Sequence, residues 1–289
     1  MLALLRWLSG WPLSVLHGLG GPLGWLTFVL SPAYRRRFVG NARQAGLEPA
    51  RFRPAIAEAG RLLMELPPLW LRPAAEPIRS PVRWEGGELV GQAMAGGRGI
   101  VFLTPHLGCF EVAAQSYAER YGPEFGPVTV LFRPARKAWL RPIVSRTRAR
   151  PCLETAPATL AGVRQMLRAL RRGEAVGLLP DQVPPEGLGV WAPFFGRPAY
   201  TMTLAARLVQ QTGAVPLAIW AERLARGAGY IVRVSPLAES LPREASAQAE
   251  SAAVVNRAME RLILEKPEQY LWGYHRYKAP SRPAPEADG

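Results

Sequence analysis

The stretch that decides the fold is "GIVFLTPHLGCFEVA", residues 99–113. Four apolar residues, Ile100 to Leu103, follow a glycine and stop at Thr104-Pro105. A short run bounded by turn residues reads as a strand buried on both faces. His106 comes directly after it, and the residues beyond read as a helix. Strand, tight turn and helix in this order are the unit of an α/β fold, and the turn lies at the strand's carboxyl end. The chain has only three histidines in 289 residues, so one at this position carries information.

Outward from this stretch the pattern recurs. "PVTVLFRP" reads as a strand with a basic end, "TLAGVRQMLRALRRG" as an amphipathic helix with a glycine C-cap, and "EAVGLLPDQ" as a second buried strand ending in an acid. "TMTLAARLVQQTG" reads as a helix, "AVPLAIWAER" and "GYIVRVSPL" as strands. "SAAVVNRAMERLILEKP" reads as a helix with Val255, Met259, Leu262 and Ile263 on one stripe. The expectation is an α/β domain with a central, mostly parallel mixed sheet flanked by helices. In such sheets ligands collect at the carboxyl ends of strands, where His106, Arg133 and Asp181 fall. Residues 41–72 read as one or two amphipathic helices closed by Pro67-Pro68.

From Trp7 to Tyr34 there is no Asp, Glu, Lys or Arg. That length suffices for a span of about 20 apolar residues. Pro12, Pro22 and "GLGGPLG" are expected to interrupt a helix there, so a broken or interfacial element competes with a clean span. Arg35, Arg36 and Arg37 follow, suited to lipid phosphates on the cytoplasmic side. A signal peptide is disfavoured, because the apolar region is overlong and lacks a small-residue cleavage site. A helical hairpin buried in a soluble protein is the other alternative. The organisation expected is residues 1–38 as a hydrophobic membrane-association segment, 39–280 as the catalytic domain and 281–289 as a loose Pro/Ala tail.

The net charge of +14 calls for a negative partner: nucleic acid, anionic headgroups or an acidic protein. Seven basic residues and no acid fall between Phe125 and Leu153: Arg133, Arg136, Lys137, Arg141, Arg146, Arg148 and Arg150. Nucleic acid is disfavoured because aromatic residues do not interleave with this run. Cys109 and Cys152, the only cysteines, form no CxxC pair, so neither a zinc site nor a disulfide scaffold is supported.

The chemistry suggested is acid–base. On a regular helix five residues advance about 500°, which separates His106 from Glu111. With His106 in the turn and Glu111 in the first helical turn, the carboxylate can accept the Nδ1 proton and leave Nε2 free to deprotonate an alcohol. The N–H groups of the new helix, near Gly108, would favour a developing oxyanion. Cys109 as a thiolate nucleophile is the competing chemistry, and a plain structural histidine is the bland one. "WAPFFGRPAYT" sets Phe194 and Phe195 beside Gly196, apt for one wall of an apolar groove or for plain core.

Five blocks in order, "TPHLGCFE", "VLFRPARKAWL", "GEAVGLLPDQ", "WAPFFGRPAYTMTLAARLVQQTGAVPLA" and "YLWGYHRYK", resemble the lipid A biosynthesis acyltransferases, the late acyltransferases of the lysophospholipid acyltransferase superfamily. The resemblance implies a glycerolipid acyltransferase-like fold and an enzyme on the cytoplasmic face of the inner membrane. Such an enzyme moves a fatty acyl chain from a thioester, on acyl carrier protein or CoA, to a glycolipid hydroxyl. It implies His106 as general base, Glu111 as its orienting acid, and Arg133 as the basic residue that assists the oxyanion or binds donor phosphate. Asp181 and Gln182 match the second acidic block, and Arg136 is a further substrate-binding candidate. No metal, cofactor or covalent enzyme intermediate is called for. This chain departs from the family pattern at Tyr277, where a second basic residue is usual, and in the proline-rich "VPPEGLGV", which bears on the acceptor. A non-catalytic protein that binds anionic lipid, and acylation of another membrane lipid, remain as alternatives.

Overall fold

Ile100–Leu103 forms a strand, β2, with all four side chains buried. Val101 and Leu103 point into one hydrophobic cluster and Ile100 and Phe102 into another, because successive side chains of a strand face opposite sides. A run apolar at every position is therefore what a strand covered on both faces requires. The computed structural model describes residues 2–132 and 150–282. Arg133, Arg136 and the other basic residues up to Arg148 lie outside the described residues, as does the tail from 283.

The remaining strands are β1 (Val82–Glu85), β3 (Val128–Phe132), β4 (Leu153–Pro157), β5 (Ala175–Leu178), β6 (Gly189–Phe194), β7 (Arg197–Met202), β8 (Val215–Arg223) and β9 (Tyr230–Pro236). Seven of them form one sheet in the order β1-β9-β8-β2-β5-β3-β4. All its neighbouring pairs are parallel except β8 with β9, so the mostly parallel mixed sheet is as expected. β6 and β7 form a separate antiparallel hairpin. The expectation of helix from Thr201 is wrong for its first two residues, which close this hairpin, and the helix starts at Leu204. Phe195 and Gly196 at its tip have φ of +47° and +73°, the left-handed backbone a two-residue hairpin turn needs.

The helices are α1 (Leu2–Ser9), α2 (Leu13–Leu30), α3 (Pro32–Gln44), α4 (Pro49–Phe52), α5 (Pro54–Leu71), α6 (Glu88–Ala95), α7 (Phe110–Arg120), α8 (Gly122–Phe125), α9 (Leu160–Arg171), α10 (Leu204–Thr212) and α11 (Gln248–Glu265). α9, α10 and α11 contribute Met166, Leu208, Val255, Met259 and Ile263 to the cluster beneath Val101. α6 and α7 contribute Val90, Val112 and Tyr117 to the opposite one. The result is three layers, helices on both faces of the sheet.

Two expectations about proline are corrected. α5 does not close at Pro67-Pro68 but runs through both to Leu71. The carbonyl of Leu69 in that last turn is satisfied from outside, by Arg72 Nη1 at 2.8 Å and Arg150 Nη2 at 2.7 Å. α2 is likewise unbroken through Pro22. The residue four before Pro22, whose carbonyl loses its usual N–H partner there, is Gly18.

Glycine also decides how α2 lies on α5. A Cβ on Gly24 would stand 2.0 Å from the Ile56 carbonyl oxygen, and one on Gly20 would stand 2.6 Å from the Arg61 Cα. With Gly60 facing them on α5, the two backbones touch, the close approach that small residues four apart permit. Gly20 meets Gly60 and Arg61 while Gly24 meets Ile56, so the helices run antiparallel.

Candidate active site

β2 and β5 are adjacent and parallel, with Leu103 opposite Leu178. Their carboxyl ends therefore deliver His106 and Asp181 to one place, although 75 residues separate them. Thr104 N–H donates to Leu178 O at 3.1 Å, which zips the turns together just before the two side chains diverge from the sheet.

Asp181 grips His106 twice. Its Oδ2 accepts from the His106 backbone N–H at 2.9 Å and its Oδ1 meets Nδ1 at 2.8 Å. A carboxylate only accepts, so the proton is on Nδ1 and Nε2 carries the lone pair. The Gln182 amide nitrogen lies 3.0 Å from Nε2 and donates to it. The Phe110 ring packs edge-on to the imidazole with centroids 5.0 Å apart. Asp181 is only 2% exposed. Burial pushes its carboxyl up, but the positive charge that His106 carries once protonated, its two hydrogen bonds and the charge of Arg276 outweigh burial and hold it below the usual carboxylate range. The carboxylate is thus ionised and fixed.

The orienting role expected of Glu111 concerns the same Nδ1. The side chain that takes Nδ1 is Asp181, because parallel strand pairing delivers it, whereas Glu111 rides on the first turn of α7. Glu111 is buried, and its charge acts on Arg150, whose guanidinium burial pulls down to about 10 against the opposing pull of nearby carboxylates.

Gly108 lies in the same turn. Its N–H donates to Gln269 O at 3.0 Å and is committed to the fold in this structure. Glycine is needed there for two reasons. Its φ is +58°, and a Cβ would stand 2.0 Å from the Ala221 carbonyl oxygen. The turn is fastened further by Leu271 N–H to His106 O at 3.2 Å and Cys109 N–H to Ala221 O at 2.9 Å. The carboxy-terminal aromatic block therefore holds the histidine turn directly.

Phe194 is buried in the core, and its carbonyl accepts from Tyr277 Oη at 2.9 Å. The cavity beside Phe194, Phe195, Trp272 and Arg276 measures about 10 Å³, room for about one water. In this conformation the space beside these two phenylalanines is small. Cys109 is fully buried, and burial, then the charge of Glu65, pushes its thiol well above its ordinary value. A nucleophile needs the thiolate, so this environment disfavours that chemistry. Among the described residues no cluster of three or more His, Cys, Asp or Glu is arranged to hold a metal.

Sequence reasoning missed Tyr270, Arg276, Gln269 and, with its partners Arg223 and His17, Glu65. Tyr270 is buried beside Asp181, and burial and that charge push its phenol well up. Arg276, 2% exposed, donates to Tyr200 O and Thr201 Oγ1 at 2.7 Å each and ties the β6–β7 hairpin under the site. Gln269 brackets Arg223 through both backbone groups, at 2.9 and 2.8 Å. Arg223 in turn reaches the Gly108 carbonyl at 3.3 Å and forms a two-pronged pair with Glu65 at 2.6 and 2.7 Å. His17 of α2 completes that group, with Nε2 2.8 Å from Glu65 Oε1. The signal available was the block "QYLWGYHRYK" for the first three and a glutamate inside an apolar helix for the last.

The family model for bacterial lipid A biosynthesis acyltransferases matches residues 49–279. The lipid A biosynthesis palmitoleoyltransferase of Escherichia coli (strain K12) is 27% identical over 229 residues, covering 79% of this chain and 71% of that protein. A lipid A biosynthesis acyltransferase of Shigella flexneri matches equally. The lauroyltransferase of the same Escherichia coli strain is 27% identical over 225 residues, covering 76% of this chain and 69% of its own length. The match takes in every strand of the sheet and both side chains of the His106–Asp181 pair, and the chain belongs to the bacterial lipid A biosynthesis acyltransferase family.

Proposed function

We propose that this protein is a membrane-associated O-acyltransferase that moves a fatty acyl chain from an acyl thioester to a hydroxyl of a lipid A precursor. One observation carries the reading: an imidazole whose Nδ1–H is held by a buried carboxylate, with Nε2 presented as a base at the carboxyl edge of the sheet. The relatives, named for transfer of palmitoleoyl and lauroyl groups in lipid A biosynthesis, supply the substrate class.

In the proposed reaction the acceptor hydroxyl displaces the Gln182 amide from Nε2. His106 takes the hydroxyl proton as the oxygen attacks the thioester carbonyl, and Asp181 stabilises the imidazolium that forms. The tetrahedral intermediate collapses with loss of the C–S bond, and the proton on Nε2 passes to the leaving thiolate. Ester and free thiol result, and the enzyme returns unchanged. Arg133, which directly follows the last residue of β3, is assigned to the oxyanion or the donor phosphate, and Arg136 to the donor. Glu111 is retained as the second carboxylate of the motif, acting from the first turn of α7. Acyl carrier protein is the proposed donor carrier, since it is acidic and the segment after β3 is basic; CoA is the alternative. The proposed location is the cytoplasmic face of the inner membrane, with residues 1–38 as the associating segment and 39–280 as the catalytic domain.

The test is transfer of a radiolabelled acyl group from acyl carrier protein to a lipid A precursor by the purified chain. His106→Ala should lower kcat by about 10³-fold or more with folding intact. A folded His106→Ala protein that transfers at the native rate would sink the mechanism, and absence of product from any donor would favour a lipid-binding role.

A further inference from the structure

α2 is long and apolar enough to cross a bilayer by length and composition, yet its attachments argue against crossing. Its two ends are tied to the catalytic domain. At the first end Gly227, in the turn after β8, lies so close to Ser14 that a Cβ there would stand 2.3 Å from the Ser14 nitrogen. His17 is buried against Glu65, which Arg223 of β8 also holds. At the other end, immediately after α2, α3 is fastened to the carboxy-terminal block: Asn41 donates to Trp272 O at 2.7 Å and Tyr274 O at 2.6 Å, and Arg37 to Gly273 O at 3.2 Å. Between the ends α2 lies along α5 with glycines in backbone contact. For α2 to cross, α5 would have to cross beside it, carrying Glu58, Arg61 and Glu65 into hydrocarbon.

The outward face of α2 is nevertheless greasy. Val15, Leu19, Leu23, Leu26, Val29 and Leu30 are exposed, and Leu30 is 71% exposed. The steps of three and four from Val15 to Val29, with Leu30 beside it, put them on one stripe opposite His17, Gly20 and Gly24. Trp7 on α1 is exposed too, and it packs edge-on to Trp11. Basic residues stand at both ends of the stripe. Arg6 and Arg226 are exposed near its start, and Arg35 and Arg36 near its finish. Arg53 stacks on Trp25 at 5.9 Å.

We propose that α1 and α2 form a foot embedded in a single leaflet of an anionic bilayer, with both ends of α2 on the same side as the catalytic domain. The stripe takes the acyl region, and the arginines at both ends take lipid phosphates, as interfacial helices do. A crossing helix would place its two basic ends on opposite sides. This rests on the membrane association proposed above and adds its geometry. The foot keeps the carboxyl edge of the sheet, to which both its ends are fastened through β8 and the carboxy-terminal block, close to the surface that carries a lipid acceptor.

The experiment uses the full chain carrying Cys152→Ser, with one added cysteine each at Gly10, Gly40 or Ser246. Gly40 has nothing within 4 Å of its Cβ and Gly10 has only the Trp7 carbonyl at 3.6 Å, so both tolerate the change; Ser246 is exposed on the domain. A membrane-impermeant maleimide is applied to sealed inverted and right-side-out membrane vesicles, and acyl transfer is measured on the same preparations. All three positions should label from one and the same side. Labelling of Gly10→Cys and Gly40→Cys from opposite sides would overturn the proposal, as would a protein that labels equally in both preparations and washes off in carbonate. In either case retained transfer leaves the enzymatic reading standing, and loss of transfer counts against that reading alone. Arg35→Ser and Arg36→Ser should each weaken binding to phosphatidylcholine vesicles containing phosphatidylglycerol by about fivefold and leave binding to pure phosphatidylcholine unchanged. Equal binding of wild type and variants to both vesicle types would remove the anionic-lipid part of the proposal.

Discussion

At the scale of single residues, strand pairing decides which carboxylate meets the imidazole. Asp181 reaches Nδ1 and the backbone N–H together, which fixes the ring's position as well as its tautomer. The expected signature is spectroscopic. In ¹⁵N-labelled protein, Asp181→Asn should move the His106 Nδ1 resonance and lose its Nδ1-protonated tautomer, while Glu111→Gln should leave that resonance within the native range. An unchanged spectrum in Asp181→Asn would assign the orienting role elsewhere. In turnover, Asp181→Asn should cost on the order of 10²–10⁴-fold in kcat, as loss of an orienting carboxylate does in related acid–base constellations. Because its carboxyl is held below the ordinary value, the native Asp181 stays charged through the neutral range, and its contribution is lost only as pH falls below that of a free carboxylate.

The element that distinguishes this chain from a plain three-layer sheet is the α2–α5 pair. Its contact is backbone on backbone, so it tolerates no side chain at the crossing. Gly24→Leu places a Cβ 2.0 Å from a carbonyl oxygen and should destabilise the pair by about 1–3 kcal/mol or more. Gly18→Ala, whose Cβ meets nothing within 4 Å, should change stability by less than about 0.5 kcal/mol. Limited trypsin digestion at Arg35–Arg37 reads the difference: rapid cleavage is expected in Gly24→Leu and native resistance in Gly18→Ala. Equal resistance in both would show that the helices are not packed as described. The same logic explains why Pro22 does not end α2 and Pro67-Pro68 do not end α5: packing along the partner helix outweighs the one or two missing hydrogen bonds.

For the whole molecule, a buried ion network joins α2 to the histidine turn. His17, Glu65, Arg223 and the Gly108 carbonyl form one chain of contacts. Burial pushes the Glu65 carboxyl up, but the charge and hydrogen bonds of Arg223 and His17 prevail and bring it down to about 2. A carboxyl depressed in the folded state contributes stability that is present above its unfolded value of about 4.3 and lost as pH falls toward 2. Glu65→Gln should therefore lower stability at pH 7 by about 3–5 kcal/mol, because it leaves Arg223 buried with its pair broken. Between pH 5 and 2 the native protein should then lose more stability than the variant does. Thermal midpoints in detergent at pH 7 and pH 3 check both statements, and parallel losses in the two proteins would show that Glu65 is not the titrating group.

The sequence by itself determined the layers. Buried strands reveal themselves as unbroken apolar runs, as Ile100–Leu103 does, and amphipathic helices as stripes, as Val255 to Ile263 does, because both signals are local and follow from side-chain period. It also determined that His106 stands at a strand end, and five ordered motifs were enough to suggest the family. What only the tertiary structure decided is which distant groups meet. Neither spacing nor composition says that β5 lies beside β2 and so brings Asp181 to Nδ1, or that Gly108 lends its N–H to Gln269. The pairing of His17 with Glu65 was hidden for the same reason. Strand order and helix docking are set by the summed packing of the whole chain, and a contact between residues 48 or 75 apart leaves no periodic trace in either segment.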